Sequence, residues 1–333
     1  MYACVLVGVA ALAVPGGASA KKLSAATWDR PAQQLVVRAG LMGDAADGSF
    51  GGAASLSSQA ASQALSAFAA QQGGPAPTPA VQAGGSVTVT RFDALAVDQL
   101  GLGDVAGHVQ QTASAAGLRP PSYFGTEVLA RYLGLRYDHP AGEDSLELYP
   151  WSAITRAEAA HSLALMMQAG TWAVEDARQT LSAFSLPRFD ANQLEVLRIA
   201  VAKIGMPYVW GGTTDDTSDG LEHGGYDCSG FAWRVYKGSG LSWGAQILGR
   251  TAAEQAGEIP RNARIRLAAV QPGDLLFFSS AHFNSKASET NVNHEAIALS
   301  GEWAIHSSGQ GVYVLPLISG WLAQQFTWAR RVL

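Results

Sequence analysis

The sequence predicts an α+β protein in two parts. Its 333 residues suffice for two domains, and 48% hydrophobic with 15% charged residues is a globular balance. Residues 21–168 are rich in alanine and predict short helices, and therefore a separate all-α region. Residues 190–333 begin with helical segments and end in apolar strand segments, which predicts N-terminal helices packed on an antiparallel sheet. Residues 169–189 are expected to form a connector.

The first twenty residues predict an export signal. The apolar run "CVLVGVAALAV" is too short to span a bilayer, and Ala18 and Ala20 follow it in a small-x-small pattern. Cleavage after residue 20 would leave a secreted chain with no transmembrane segment and without Cys4. The alternative is a buried N-terminal helix, because no positive charge precedes the apolar run.

The charge balance argues against one class of partner. The net charge is −5, and lysine and arginine do not cluster. Proteins that bind nucleic acid usually carry a basic patch, so nucleic acid is not expected as a partner.

Three helix starts in residues 21–168 share one chemistry. Thr90 is followed by Asp93 and Thr155 by Glu158, a spacing at which a hydroxyl N-cap and a carboxylate satisfy exposed backbone N–H groups. Thr126 lacks the carboxylate. We expect these threonines to begin helices, and the Gly/Ala/Pro-rich run "QQGGPAPTPAVQAGG" to form a flexible spacer.

This arrangement resembles S-layer homology modules. The resemblance rests on "ITRAEAA" at residues 154–160, on Ala-Gly-Leu segments at residues 39–41 and 116–118, and on Phe124. It implies that the N-terminal region binds cell-wall polysaccharide. The alternative is a helical spacer or regulatory domain whose helices carry ordinary caps.

Cys228 is the cysteine that needs an explanation. It follows Asp227 and precedes Ser229 in "DCSGF", and the pattern predicts that it begins a helix. A helix N-terminus favours the thiolate, which is the reactive form of cysteine. A buried, inert cysteine is the alternative, and a zinc site with His223 and His294 has no supporting spacing.

Two histidines bracket a predicted hairpin. The segment "HEAIALSGEWAIH" runs from His294 to His306, with Ser300 and Gly301 at the turn. Side chains alternate along strands, so a three-residue loop would place both histidines on one face and a two-residue loop would separate them. We predict the three-residue loop, because a base and its orienting partner would then be adjacent.

The ordered set "PYVWGG", "DCSGF", "VQPGDLLFF" and the step from His294 to His306 resembles the NlpC-type family over residues 194–333. The resemblance implies a papain-like cysteine peptidase that cuts peptidoglycan stem peptides. It implies Cys228 as nucleophile, His294 as general base and His306 as the group that orients it. It also implies Tyr208 in the oxyanion site.

The same resemblance implies that Asp227 and Ser229 bind the free amine of the substrate. It also implies that the cleaved bond joins D-glutamate, through its γ-carboxyl, to a diamino acid. No cofactor or metal is required. An amidase or acyltransferase on the same scaffold is one alternative, and a non-catalytic wall-binding protein is another. The acidic loop at residues 213–226 and the loop at residues 279–293 depart from the family pattern. Either loop could flank the cleft or be a solvent-exposed loop with no part in the site.

Overall fold

A computed structural model describes residues 24, 26–44, 47–73, 85–137, 139–140, 142–279 and 288–333. The predicted export signal, most of the spacer and residues 280–287 lie outside this part of the chain. Within it, no helix has both the length and the apolar character needed to cross a membrane.

The first half of the chain is helical. Its helices are α1 (Arg30–Arg38), α2 (Ser58–Gln72), α3 (Val89–Gln99), α4 (Gly103–Ala115), α5 (Phe124–Tyr132), α6 (Arg156–Gln168) and α7 (Gly170–Ser182). The last of these lies within the predicted connector and packs against α4 and α5. Glycines with positive φ follow α1 and α4, namely Gly40 and Gly117.

Two of the three predicted helix starts are wrong. Thr90 lies inside α3, whose N-cap is Thr88, and Thr126 lies inside α5, where its hydroxyl donates to the Tyr123 carbonyl. Thr155 does cap α6 by accepting from the Glu158 N–H at 3.2 Å. Asp93 is fully buried and contacts Arg136 at 3.0 Å. Its carboxylate therefore contacts a buried arginine and does not cap a helix.

The structure nevertheless contains three equivalent helix starts. The N-caps of α2, α3 and α6 are all hydroxyl side chains, namely Ser57, Thr88 and Thr155. The buried residue before each cap takes part in a cyclic set of backbone hydrogen bonds. Leu56 N–H donates to the Ile154 carbonyl, Ile154 N–H to Val87, and Val87 N–H to Leu56, at 2.8–3.0 Å. These three residues form a hub from which the helices radiate.

The second half carries the sheet. Its helices are α8 (Ala191–Ala202), α9 (Cys228–Gly238), α10 (Ala252–Gly257) and α11 (Gly320–Gln325). Its strands are β1 (Thr213–Thr214), β2 (Gly225–Tyr226), β3 (Leu275–Phe278), β4 (His294–Ala298), β5 (Trp303–Ser308), β6 (Gly311–Pro316) and β7 (Phe326–Arg330). The larger sheet is antiparallel in the order β6-β5-β4-β3-β7. This confirms the prediction of mixed helix and antiparallel sheet.

The two halves share one apolar core, so a separate all-α domain is not confirmed. Buried residues from Val36 to Val332 belong to the same cluster. The ring of Phe184, just beyond α7, meets Trp303 of β5 edge-on at 5.0 Å between centroids. Arg131 of α5 donates to the Gly205 carbonyl at 2.8 Å. The N-terminal helices thus cover one side of the sheet-bearing half.

Candidate active site

The start of helix α9 is built as predicted. Asp227 caps the helix by accepting from the Gly230 N–H at 2.6 Å, and Cys228 is the first helical residue. A Cβ at Gly230 would collide with the Gly212 carbonyl oxygen, so this position requires glycine. The close approach fixes the helix start against the segment that contains Gly211 and Gly212.

The Cys228 thiol lies against strand β4. Backbone hydrogen bonds from Glu295 and Ser229 reach its sulfur, and its side chain is almost fully enclosed, with 9% of the residue exposed. Burial, the Glu295 carboxyl and the Asp227 carboxyl raise the pKa of Cys228 to about 12. The prediction that the helix start favours a thiolate is therefore wrong for the substrate-free site, because burial and two carboxyls outweigh the helix terminus.

The predicted histidine pair is present. Ile297 pairs with Ile305 and Ala298 with Ala304, and the Leu299 N–H bonds to the Trp303 carbonyl at 2.8 Å. The loop is therefore the predicted three-residue one, at residues 300–302. It places both histidines on one face, where His294 Nε2 lies 2.9 Å from His306 Nδ1.

Both histidines are neutral at rest. Burial lowers the pKa of His294 to about 4, and burial together with His294 lowers the pKa of His306 well below its usual range. The ring of Trp321 from α11 packs on both, with centroids 5.2 Å and 5.6 Å away. With both rings neutral, one nitrogen of this contact carries the proton and the other accepts it. When the proton is on His294 Nε2, His294 Nδ1 is able to accept a proton.

Within the described part of the chain, no hydrogen bond joins the Cys228 sulfur to either histidine ring. The sulfur instead meets the backbone of Glu295, the residue that follows His294 on β4. The structure therefore brings the two histidines together, and it places the thiol beside their strand.

Because His294 must be neutral to act as a base, its pKa sets the acid side of the profile of kcat/KM against pH. We expect kcat/KM for hydrolysis to hold from neutral pH downwards and to fall to half near pH 4, where His294 gains its proton. The measurement is kcat/KM against pH on a soluble stem peptide, with reversibility checked after return to neutral pH. A half-loss near pH 6.5 would contradict a desolvated base.

Asp227 and Ser229 lie together, but Arg250 is paired with both. Its Nη1 and Nη2 donate to the two Asp227 oxygens at 3.0 Å and 2.9 Å, and Nη1 also donates to Ser229 Oγ at 3.0 Å. The Gly211 N–H adds a bond to Asp227 Oδ2 at 3.0 Å. Arg250 was not predicted, because a single arginine in the loop before α10 carries no pattern.

Tyr208 lies in the segment that joins α8 to β1. It is half-buried, and its neighbour Val209 donates its N–H to the Tyr226 carbonyl at 3.4 Å. Together with the bond from Gly211 to Asp227, this holds the Tyr208 segment beside the start of α9. The oxyanion role of Tyr208 stays a prediction.

The acidic loop at residues 213–226 is a closed two-stranded ribbon, since β1 pairs with β2. Several of its carboxylates bind the loop itself. Asp216 accepts from the Ser218 N–H and Asp219 from the Thr213 N–H, both at 3.0 Å, while Asp215 contacts Lys203 and the Tyr226 hydroxyl. These acids therefore hold the ribbon in shape.

Residues 205–331 match the NlpC/P60 family. This part of the chain is an NlpC/P60 domain. Over 133 residues, the chain is 32% identical to a γ-D-glutamyl-L-lysine dipeptidyl-peptidase of Bacillus cereus, a match that covers 39% of this chain and 33% of the relative. Over 140 residues, it is 26% identical to the probable peptidoglycan endopeptidase LytE of Bacillus subtilis, and this match covers 42% of this chain and 34% of the relative.

A solved NlpC/P60 family protein from Bacillus cereus is 27% identical to this chain, with a TM-score of 0.33. The match covers 45% of this chain and 42% of the solved chain. The chain spans about a third of the length of the two curated relatives. The matched region contains Cys228, His294 and His306.

Proposed function

We propose that the protein is a peptidoglycan hydrolase, a cysteine peptidase that cuts stem peptides at the bond between D-γ-glutamyl and a diamino acid. The observation that carries the proposal is a single buried thiol at a helix start, packed against the strand on which His294 bonds to His306. The activities for which the relatives are named supply the substrate class.

In the proposed mechanism the Cys228 sulfur attacks the scissile carbonyl carbon, and the thiol proton passes to His294. His294 then gives that proton to the departing amine, which leaves a thioester on Cys228. Water, deprotonated by His294, attacks the thioester and releases the acid and the free thiol. Because thiol and imidazole are both neutral at rest, proton transfer accompanies attack and does not precede it.

Digestion of purified muropeptides with mass-spectrometric product mapping tests this function. A split stem with a new amino terminus on the diamino acid is the expected product. A freed sugar lactyl group would identify an amidase instead, and binding to walls with no released product would identify a non-catalytic wall-binding protein. The Cys228→Ser variant is the matched control for contaminating hydrolases.

We further propose that Asp227 and Ser229 receive the free amine of the stem. Asp227 is already bonded by Arg250, Gly211 and Gly230, so an amine must displace Arg250 from the carboxylate. An amine bound to this partly buried carboxylate would contribute a charge-assisted hydrogen bond.

A free stem peptide should therefore be cleaved with a kcat/KM about tenfold or more above that of its N-acetylated form. Arg250→Gln should increase the preference, because it removes the competing cation, and Asp227→Asn should abolish it. The measurement is kcat/KM for both peptides with each variant. Equal values for the two peptides with the unmodified enzyme would exclude amine recognition.

For the N-terminal region, we propose binding to cell-wall polysaccharide and an exported, wall-associated protein. The hub of Leu56, Val87 and Ile154 supports a repeated module, since three capped helices leave it in equivalent positions. The shared core means that binding has to be tested on the whole chain, with Cys228→Ser to prevent digestion of the walls.

A further inference from the structure

Arg131 is a buried cation of the first half that the proposed function does not use. Its Nε donates to Glu127 Oε2 at 3.0 Å, one turn earlier on α5, and Glu127 is fully buried. Its Nη2 donates to the carbonyl of Gly205, across the boundary between the halves, at 2.8 Å. An ion pair made within α5 therefore presents a charged donor to the backbone of the sheet-bearing half.

Gly205 begins a segment, residues 205–209, that we call the bridging segment. On one side this segment bonds to β6. The Gly205 N–H donates to the Val312 carbonyl at 2.9 Å, and the Val312 N–H donates to the Met206 carbonyl at 2.8 Å. The next residue of β6, Tyr313, lies opposite His306 in the sheet, and their rings are 4.4 Å apart between centroids. The bridging segment is thus joined to the strand that packs on the histidine pair.

On its other side the bridging segment bonds to the chain that leads to the thiol. The Tyr226 N–H donates to the Pro207 carbonyl at 3.1 Å, and the Val209 N–H donates to the Tyr226 carbonyl at 3.4 Å. Tyr226 lies two residues before Cys228. One short segment is therefore hydrogen-bonded both beside the histidine pair and beside the start of α9, so its position influences the spacing between base and nucleophile.

The guanidinium of Arg131 is wedged where the bridging segment meets β6. A Cβ at Gly205 would lie 3.0 Å from Glu127 Oε2, and a Cβ at Gly311 would lie 2.8 Å from Arg131 Nη1. Both glycines have positive φ, with values of 84° and 74°. The close fit means that the bridging segment cannot shift toward α5 while the ion pair is in place.

We propose that Arg131 is a positioning residue for hydrolysis: held by Glu127, it fixes the bridging segment and with it the spacing of Cys228 and the histidine pair. This proposal rests on the proposed function. Proton transfer from the thiol to His294 depends steeply on geometry, and a shift of about 1 Å from a distant change can cost about 10²-fold in rate. The first half is then part of the catalytic unit, in addition to any binding to the wall.

Arg131→Met in the full-length protein is the first test. It removes both hydrogen bonds and keeps an unbranched apolar stem. We expect kcat on a soluble stem peptide to fall about tenfold or more, with KM within about twofold of its original value, because the groups that contact the substrate are unchanged. The melting temperature should also fall, since Glu127 is left buried without its cation.

A paired variant separates positioning from stability. Glu127→Leu combined with Arg131→Met replaces a buried ion pair by apolar side chains, a change that is often neutral or stabilising. Asp93 keeps its own partner, Arg136, at 3.0 Å. The melting temperature should therefore recover, while kcat stays about tenfold below that of the unmodified protein, because the donor to the Gly205 carbonyl is gone. A folded paired variant with kcat within about twofold of the unmodified protein would overturn the proposal.

Arg178→Met is the matched control. Arg178 of α7 likewise bonds to an acid, Asp104 at 2.9 Å, and to a backbone carbonyl, that of Gly101, but both partners lie within the first half. This variant should keep kcat and KM. A tenfold fall of kcat in Arg178→Met would show that any disturbance of the first half slows hydrolysis, and it would remove the specific role of Arg131.

The same assay distinguishes this proposal from the proposed function. If the unmodified protein splits no stem peptide, the proposed function is wrong and the role of Arg131 falls with it. If the unmodified protein and the paired variant split the stem equally well, the peptidase assignment stands and only the role of Arg131 is wrong.

Discussion

Cys228→Ser should abolish stem-peptide hydrolysis while leaving the fold intact. A serine hydroxyl is a far weaker nucleophile than a thiol at neutral pH. We expect kcat/KM to fall by at least about 10³-fold. The measurement is hydrolysis of a soluble stem peptide, followed by chromatography of the products.

Stability should change little in this variant. The hydroxyl is smaller than the thiol and accepts the same backbone hydrogen bonds from Glu295 and Ser229, so the free energy of unfolding should stay within about 1 kcal/mol. Denaturant unfolding followed by circular dichroism provides the control. Turnover close to that of the unmodified enzyme, in a folded Cys228→Ser protein, would remove Cys228 as the nucleophile.

Removing the base should cost nearly as much as removing the nucleophile. In His294→Ala no group accepts the thiol proton, and the thiol, whose pKa is about 12, ionises negligibly by itself at neutral pH. We expect kcat/KM to fall by about 10²- to 10⁴-fold. His108→Ala, which changes a histidine of α4 that bonds to the Phe184 carbonyl, is the matched control and should retain activity.

His306→Gln should retain much of the activity. The proposed mechanism needs a proton on His294 Nε2, which lies 2.9 Å from His306 Nδ1, and a glutamine carbonyl can accept from that N–H, so the catalytic tautomer of His294 is kept. A loss of about tenfold is expected from imperfect geometry at one hydrogen bond. A dead His306→Gln beside an active His294→Ala would show that the two roles are reversed.

The sequence anticipated the hairpin of the second half well, because its signals are local. A turn at Ser300 and Gly301 between apolar segments sets the register, and alternation then decides which face each histidine occupies. The capping box of Asp190 and Gln193 at the start of α8 is likewise a local feature, formed by two residues three positions apart.

The helix starts of the first half were harder to place. Thr88 and Thr90 both lie at the start of α3, and each is a hydroxyl residue suited to an N-cap, so composition alone does not choose between them. The choice is made by the hub, where Val87 must meet Leu56 and Ile154 across long sequence separations. Asp93 at capping distance from Thr90 was misleading, since its carboxylate meets Arg136 in the interior.

The charges around the thiol were missed for a different reason. Arg250 and Asp227 are 23 residues apart, and no local pattern predicts that they meet. Glu295 was visible as a single acid in an apolar strand, but whether it faces water or the core depends on how β4 packs on α9. That packing also sets the pKa of Cys228, which a helix N-terminus alone would have lowered.

The central claim is that Cys228 forms a thioester with the γ-glutamyl carbonyl of the stem. The direct measurement is an acid quench of the enzyme during turnover of a stem peptide, followed by mass spectrometry of the proteolysed protein. The peptide that contains Cys228 should gain the mass of the alanyl-glutamyl acyl group, and His294→Ala should accumulate little of it. Sustained turnover with no acyl group on the Cys228 peptide, or with the group on another residue, would contradict the account.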